Sequence, residues 1–308
     1  MIREKAVFLL TLVMIVLTPH ILIGAEVTLP SVNLGGTAFL DGVAGPGLMF
    51  KERIQYYHAT DFKNSKGDTI PGNNSISSWG GLTQVSYLTK LKILGGYYGG
   101  EALLPAVKLD VHTDFNPRGH KEGLGDLILS PFQLQWVDHK ILGMSYFHRL
   151  NFTFIVPTGK YDEKSKVNIG NNLYSIDPYY AFTLIITPKL ETSCRFQYLW
   201  NSINHDPPKV FNAGKTQPGQ AFHMNYAISY EVFDRLRAGM SGYFLEQTTA
   251  DKVEGVKRDL SKEQVFAIGP GLLYSKNKLY IYLSAAFESS VQNRQEGERI
   301  TFYFMKVF

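Results

Sequence analysis

YFHRLNFTFIV, residues 146–156, splits by parity. Tyr146, Leu150, Phe152, Phe154 and Val156 share one side, with His148 the exception; Arg149, Asn151 and Thr153 share the other. Side chains alternate across a strand, so this stretch predicts one apolar and one polar face. The next segment repeats the pattern, with Tyr174, Ile176, Tyr180, Phe182, Leu184 and Ile186 set against Ser175, Asp177, Ala181 and Thr183. A long polar loop, 157–172, lies between them. Two such strands fit a soluble sandwich or a membrane barrel. The rest of the chain has to decide.

Outward from this stretch the alternation marks about twelve strands, near 47–62, 75–89, 95–112, 123–137, 144–157, 173–187, 190–204, 219–233, 236–249, 263–276, 279–292 and 296–308. Their joints alternate between short and long. Short ones occur near 90–94 and 138–143 and at 187–189, 233–235 and 276–278; long polar ones occur at 62–74, 113–122, 158–172, 205–218 and 250–262. Only the last joint, around 293–297, breaks the rule. Greek-key crossings give no reason for such alternation. An up-and-down barrel crossing a bilayer does, with short periplasmic turns and long outer loops. The expected fold is therefore all-β, a transmembrane antiparallel up-and-down barrel with its apolar faces toward lipid.

The chain ends and its composition agree. Arg3 and Lys5 precede an apolar run from Ala6 to Leu17, and a small-residue exit at Gly24-Ala25 suggests a signal peptide over 1–25. Residues 26–46 carry Gly35-Gly36, Gly42 and Gly45 without sustained alternation, and read as an irregular segment that could plug the periplasmic side of a barrel over 47–308. No later run approaches the roughly eighteen apolar residues of a spanning helix. The net charge of +4, with no Lys/Arg block, gives no reason to expect nucleic acid. Cys194, the one cysteine, shares parity with Phe196, Tyr198 and Trp200 and reads as an inert strand residue.

At the far end Ile300, Phe302, Phe304 and Phe308 share a face. A terminal strand ending in phenylalanine resembles the segment by which outer-membrane barrels are recognised by the barrel-assembly machinery. Lys306 departs from that pattern and can snorkel to the interface.

Gly123-Leu-Gly125-Asp126, Pro131 and Trp136, then Pro157-Thr158-Gly159 with Tyr161, then Asn168, Gly170, Asn172 and Pro178 follow one another in a set order. Together they resemble the outer-membrane transporter family named for the meta-pathway of phenol degradation. The resemblance implies a barrel in a Gram-negative-type outer membrane and uptake of aromatic or other hydrophobic compounds. The motif residues themselves read as structural: proline and glycine turn the chain, and asparagines order a loop.

No chemistry competes strongly with transport. Gly-x-Ser-x-Gly is absent, and no His/Cys/Asp cluster has metal-ligand spacing; Asp61, Asn64 and Asp68 read as solvated loop residues. No catalytic residue, metal or cofactor is expected. The inner face is richer. Counting back from the turns puts Arg149, Ala181 and Arg195 at one depth, two guanidinium groups pointing inward. Two readings stay open: a basic constriction, or a structural pair neutralised by lumenal acids such as Asp177, Asp110 or Glu231. Arg149, Asn151, Asp177, Tyr179, Arg195, Gln197, His223 and Asn225 are the candidate solute path, with Leu199, Tyr243, Leu245 and Tyr282 as greasy lumenal partners. The expected function is passive uptake of small hydrophobic or aromatic molecules, with lipids, solute and the assembly machinery as partners. An outer-membrane lipid hydrolase and a structural or adhesive barrel are the alternatives.

Overall fold

The computed structural model describes residues 27–308, apart from 115–117 and the side chain of Asp138. The expected signal peptide, 1–25, lies outside the described residues. Twelve long strands close into an antiparallel barrel. They are β1 Gly47–Phe62, β2 Ser75–Ile93, β3 Gly96–His112, β4 Leu127–Ile141, β5 Met144–Val156 and β6 Tyr179–Ile185, followed by β7 Leu190–Asn201, β8 Ala221–Phe233, β9 Leu236–Gln247, β10 Gln264–Lys276, β11 Leu279–Gln292 and β12 Gln295–Val307. Each pairs with its sequence neighbours, and β1 closes on β12 from Met49↔Val307 to Phe62↔Gln295. Closure leaves no exposed sheet edge, which a bilayer requires.

Exposure settles what parity left open. On β5, Phe152 and Phe154 are about 40% exposed (41% and 40%), while Asn151 is fully buried. A sandwich would show the reverse. The apolar face points outward on β8, β11 and β12 as well, through Ile228, Leu283 and Phe302. Phenylalanines at one height touch across β6 to β9, Phe182–Phe196–Phe222–Phe244, each pair about 6 Å apart (6.3–6.4 Å). Aromatic clusters flank the belt, with Tyr56 on Trp79 at the loop end and Trp136, His148 and Tyr146 stacked at the turn end. Cys194 is a buried free thiol on this side of the wall.

Short turns lie at one end of the barrel. Leu94-Gly95, Leu142-Gly143 and Asn277-Lys278 all take positive φ, as tight hairpin turns that match strand twist require. The joint between β11 and β12, the exception to the alternation, is the two-residue turn Asn293-Arg294 at the loop end. Two expected strands are broken rather than continuous. Gly119–Leu124 pairs antiparallel with the outer part of β3 and is separated from β4 by a break at Gly125-Asp126, and Ser175–Ile176 precedes a break at Asp177-Pro178. Thr216–Gln217, Lys252–Val253 and Val256–Lys257 form a small sheet within the outer loops, which alternation does not announce.

The motif residues explain the first break. Asp126 is buried and accepts bonds from the N–H of Gly159 (2.9 Å) and from the backbone and side chain of Asn171 (2.9 Å each). Among the described residues no cation pairs with this carboxylate; backbone and amide N–H groups hold it. A Cβ on Gly159 would lie 2.7 Å from the Asp126 oxygen, so only glycine lets the loop come this close. Asn168 ties the same loop by bonding Asp162 and Ser165. Pro131 sits where the registers with β3 and β5 both shift, a bulge that needs no N–H donor. Asp126 thus staples loop 157–172 onto the strand break.

Closure predicts that unheated protein in detergent migrates differently on a gel from boiled protein. Identical migration, with the chain in the soluble periplasmic fraction, would refute the barrel. Replacing Asp126 by Ala strands three donors, a loss of about 2 kcal/mol or more from the local fold. Tryptic cleavage at Lys160, Lys164 or Lys166 should then speed up by about thirtyfold while the heat-dependent gel shift persists. An unchanged cleavage rate would show that Asp126 does not hold the loop.

Candidate functional site: the threaded lumen

Segment 27–46 lies inside the barrel and runs its length. At the loop end Leu29 and Leu34 pack with Leu199, Tyr243, Leu245 and Val265. Toward the turn end Ala38 and Phe39 pack with Ala227, Leu273, Tyr282 and Tyr303, with Phe39 edge-on to Tyr282 at 5.4 Å. The chain then enters β1 at Gly47. Without a sheet partner, its backbone groups are met by side chains from the wall. Asn225 accepts from the Gly35 N–H at 2.7 Å and donates to the Asn33 carbonyl at 2.8 Å and Thr37 at 3.0 Å. Thr183 accepts from Gly42 at 2.9 Å, and Gln135 donates to the Gly42 carbonyl at 2.9 Å.

The predicted row of side chains forms. Arg149 faces Ala181, Ala181 faces Arg195, and Arg195 faces Asn225 across successive strands. The acid that neutralises it is a correction. Asp41, on the threaded segment, takes two bonds from Arg195 at 2.8 and 2.7 Å, a bidentate pair, and its carbonyl accepts from Arg149 at 3.2 Å. The acids named from sequence lie elsewhere: Asp177 meets His223 at 3.0 Å, Asp110 meets His120, and Glu231 meets Arg237 at 3.4 Å. No periodicity marks Asp41, because its segment has none.

The other candidate residues form two polar chains. Asn151 donates to Gln133 at 3.1 Å, to the Tyr179 hydroxyl at 3.1 Å and to Glu101 at 3.0 Å. Arg195 lies 3.9 Å over the Tyr179 ring. Gln197 contacts one nitrogen of His223 and Asp177 the other, both at 3.0 Å. All eight are buried, yet only Arg149, Asp177, Tyr179, Arg195 and Gln197 border open space. Asn151, His223 and Asn225 stand behind, holding the wall and the segment.

That open space is a cavity of about 540 Å³ between the segment and the barrel wall, lined mostly from β1 to β5 and in part by Tyr179, Arg195 and Gln197 and by Leu273, Tyr280 and Tyr303 of β10 to β12. Leu199, Tyr243, Leu245 and Tyr282 do not border it, because the segment covers them. Its apolar wall is instead Leu82, Leu103, Pro105, Val107, Ile128 and Ile155. A signal for part of this was present: in β3 Ala102-Leu103-Leu104-Pro105-Ala106-Val107 is apolar at both parities. Lys51 and Arg53 also border the cavity and were not singled out from sequence. Gly36 makes room for Arg53, since a Cβ there would fall on the guanidinium.

The loop end is closed by buried polar groups. Glu263 accepts from the Leu29 N–H at 3.4 Å and pairs with Arg294 at 3.2 Å. Beside it Asp251, in the loop between β9 and β10, accepts from Gly219 at 2.8 Å and Gln247 at 2.6 Å, while its second oxygen has no hydrogen-bond partner among the described residues. Burial, reinforced by the Glu263 charge, pushes the Asp251 carboxyl up to about 7 against the hydrogen bonds it accepts. A raised carboxyl pKa favours the folded loop when protonated. Its stabilisation is complete below about pH 4, the ordinary Asp value, and is lost as the pH rises toward 7. Amide exchange in 248–263, corrected for the intrinsic rate, should therefore be faster at pH 8 than at pH 5. Asp251→Asn should flatten that dependence, and a pH-independent wild type would refute the assignment.

The family described as "Putative MetA-pathway of phenol degradation" matches residues 59–304. Among solved structures, a COG4313 outer membrane channel from Pseudomonas putida F1 superposes with a TM-score of 0.75 at 16% identity, covering 86% of this chain and 97% of that one. The transport unit of the autotransporter AIDA-I from Escherichia coli gives 0.48 at 10% identity, covering 85% and 90%. A TodX monoaromatic hydrocarbon channel mutant gives 0.45 at 7%, covering 87% and 92%. The likeness to the Pseudomonas channel is one of fold. No curated protein sequence matches the chain. The match over 59–304, which includes the Asp126 staple and most of the barrel wall, shows that the chain belongs to the phenol-degradation MetA-pathway family.

Proposed function

We propose that this chain is an outer-membrane channel for passive uptake of small hydrophobic or aromatic molecules. The observation that carries the reading is the mixed lining of the lumenal cavity, in which Leu103, Pro105 and Ile128 face the same space as Arg53, Gln84 and Arg149. An aromatic ring can meet the apolar wall and tyrosine while an oxygen meets a guanidinium or amide. The lipid-facing belt and the family support the membrane setting, and the fold relative, an outer membrane channel, agrees with it.

Segment 26–46 acts as the plug of a barrel over 47–308, and Arg149, Asp177, Tyr179, Arg195 and Gln197 lie along the solute path beside it. The C-terminal strand ending in Phe308 is the handle for the barrel-assembly machinery. Its Phe308 N–H donates to the Leu48 carbonyl at 2.9 Å, so recognition and closure involve the same residue. The chain is not an enzyme in this reading. The side-chain partners of His223 are Gln197 and Asp177, and that of His148 is His139, so neither histidine is poised on a serine.

Proteoliposomes carrying the mature chain should take up benzoate faster than a sugar of similar size. Removing 26–44 should raise conductance in planar bilayers and erode that preference. Equal entry of sugar into liposomes with the full chain would mean a general porin, and entry of neither would remove transport. Unchanged conductance of a heat-shifting deletion variant would remove the plug.

A further inference from the structure

The lumenal cavity is not electrically balanced. Six cationic and three carboxylate side chains border it. Arg195 is committed to Asp41, and Arg149 is spread over Gln135, Tyr179 and the Asp41 carbonyl. Arg299 donates to the Tyr243 hydroxyl at 3.3 Å and lies over the Tyr57 and Tyr243 rings, and Lys278 sits in the exposed turn between β10 and β11, whereas Lys51 and Arg53 stand across from the apolar wall. Lys51 donates once, to the Gly36 carbonyl at 3.2 Å, and lies 4.0 Å over the Tyr303 ring; Arg53 donates once, to Asn33 at 2.9 Å. Among the described residues neither has a carboxylate within ion-pair distance. A guanidinium has five N–H donors and an ammonium three, so most of theirs remain open to the cavity. The nearby carboxylate of Glu101 is occupied, accepting from Gln84 at 2.6 Å and Asn151 at 3.0 Å.

Register shows what stands opposite these charges. Lys51 faces Gln84, Gln84 faces Leu103, Leu103 faces Ile128 and Ile128 faces Ile155, one row running from β1 to β5. Arg53 faces Leu82 and Leu82 faces Pro105 in the next row. Strands lie about 4.8 Å apart, so two unneutralised cations sit about 5–15 Å from a continuous apolar wall. That span is one aromatic ring or a short alkyl chain with a carboxylate at one end.

We infer that Lys51 and Arg53 form an anion-binding subsite for the head group of a small amphiphilic carboxylate whose apolar body lies on Leu82, Leu103, Pro105 and Ile128. This rests on the channel reading and names its cargo class. Charge-assisted bonds from two cations favour the carboxylate over a neutral analogue of the same shape, which gains only ordinary hydrogen bonds.

The test is equilibrium binding of radiolabelled benzoate and benzyl alcohol to the purified full-length mature chain in detergent, with liposome uptake of both measured in parallel. Benzoate should bind the wild type at least about tenfold more tightly than benzyl alcohol. In Lys51→Gln/Arg53→Gln, checked for its heat-dependent gel shift, that ratio should fall to within about twofold. A wild-type ratio near one overturns the subsite without needing any variant. A ratio that survives in the folded double variant overturns it too. The channel reading fails separately: charge-selective binding with uptake of neither solute keeps the subsite and removes transport, whereas uptake of both without charge selectivity keeps transport and removes the subsite.

Discussion

A guanidinium on the inner wall of a barrel must meet a negative charge or keep water, and Arg195 meets Asp41. The rest of the lumen depends on that pair. Both side chains are largely buried, so removing one partner leaves an uncompensated charge, at about 3–5 kcal/mol. The pair also fixes register. With Asp41 held between Arg195 and Arg149, Phe39 can reach only the Tyr282–Tyr303 stack and Gly42 only Thr183 and Gln135. A segment with no sheet partner is thereby given one position along the barrel.

The same logic runs through the loops with a different acceptor. Asp126 is buried like Asp41 but is met by amide donors instead of a cation, and it holds a loop to a break in the strands. In both places an irregular stretch is ordered by one carboxylate that collects several donors. Asp251 is the contrasting case. Its second oxygen has no hydrogen-bond partner among the described residues, so burial is incompletely compensated and pushes the carboxyl up to about 7.

What could be read from sequence follows from which features are periodic. Strand identity, inward and outward faces and the row Arg149–Ala181–Arg195 all depend on a two-residue repeat counted from a turn, and they were legible. Breaks at Gly125-Asp126 and Asp177-Pro178 interrupt that repeat for only two or three residues, too briefly to show as loops. Asp41 was not legible as a counter-ion, because segment 27–46 has no repeat to place it. Asp177, Asp110 and Glu231 seemed better partners since they belong to strands, yet each is taken by a nearer His or Arg. Lys51 and Arg53 share a strand face that was legible in principle; their importance depends on the segment leaving them uncovered.

Why the cavity lies on one side follows from side-chain size. On β9 to β11 the inner face carries Tyr243, Leu245, Leu273 and Tyr282, which pack with the segment, Leu273 alone of the four also bordering the cavity. On β2 it carries Ser78, Gly80, Gln84 and Ser86 interspersed with Leu82 and Leu88, and all six border the open space. Apolar bulk opposite the segment's own leucines and phenylalanine draws it to that wall, since burial there removes apolar surface from water. On β2 only Leu82 and Leu88 offer such a gain. The segment therefore sits off centre, and most of the room it leaves runs along β1 to β5, where Lys51 and Arg53 have no carboxylate partner among the described residues. Position of the plug and position of the path are one consequence of the same distribution of side chains.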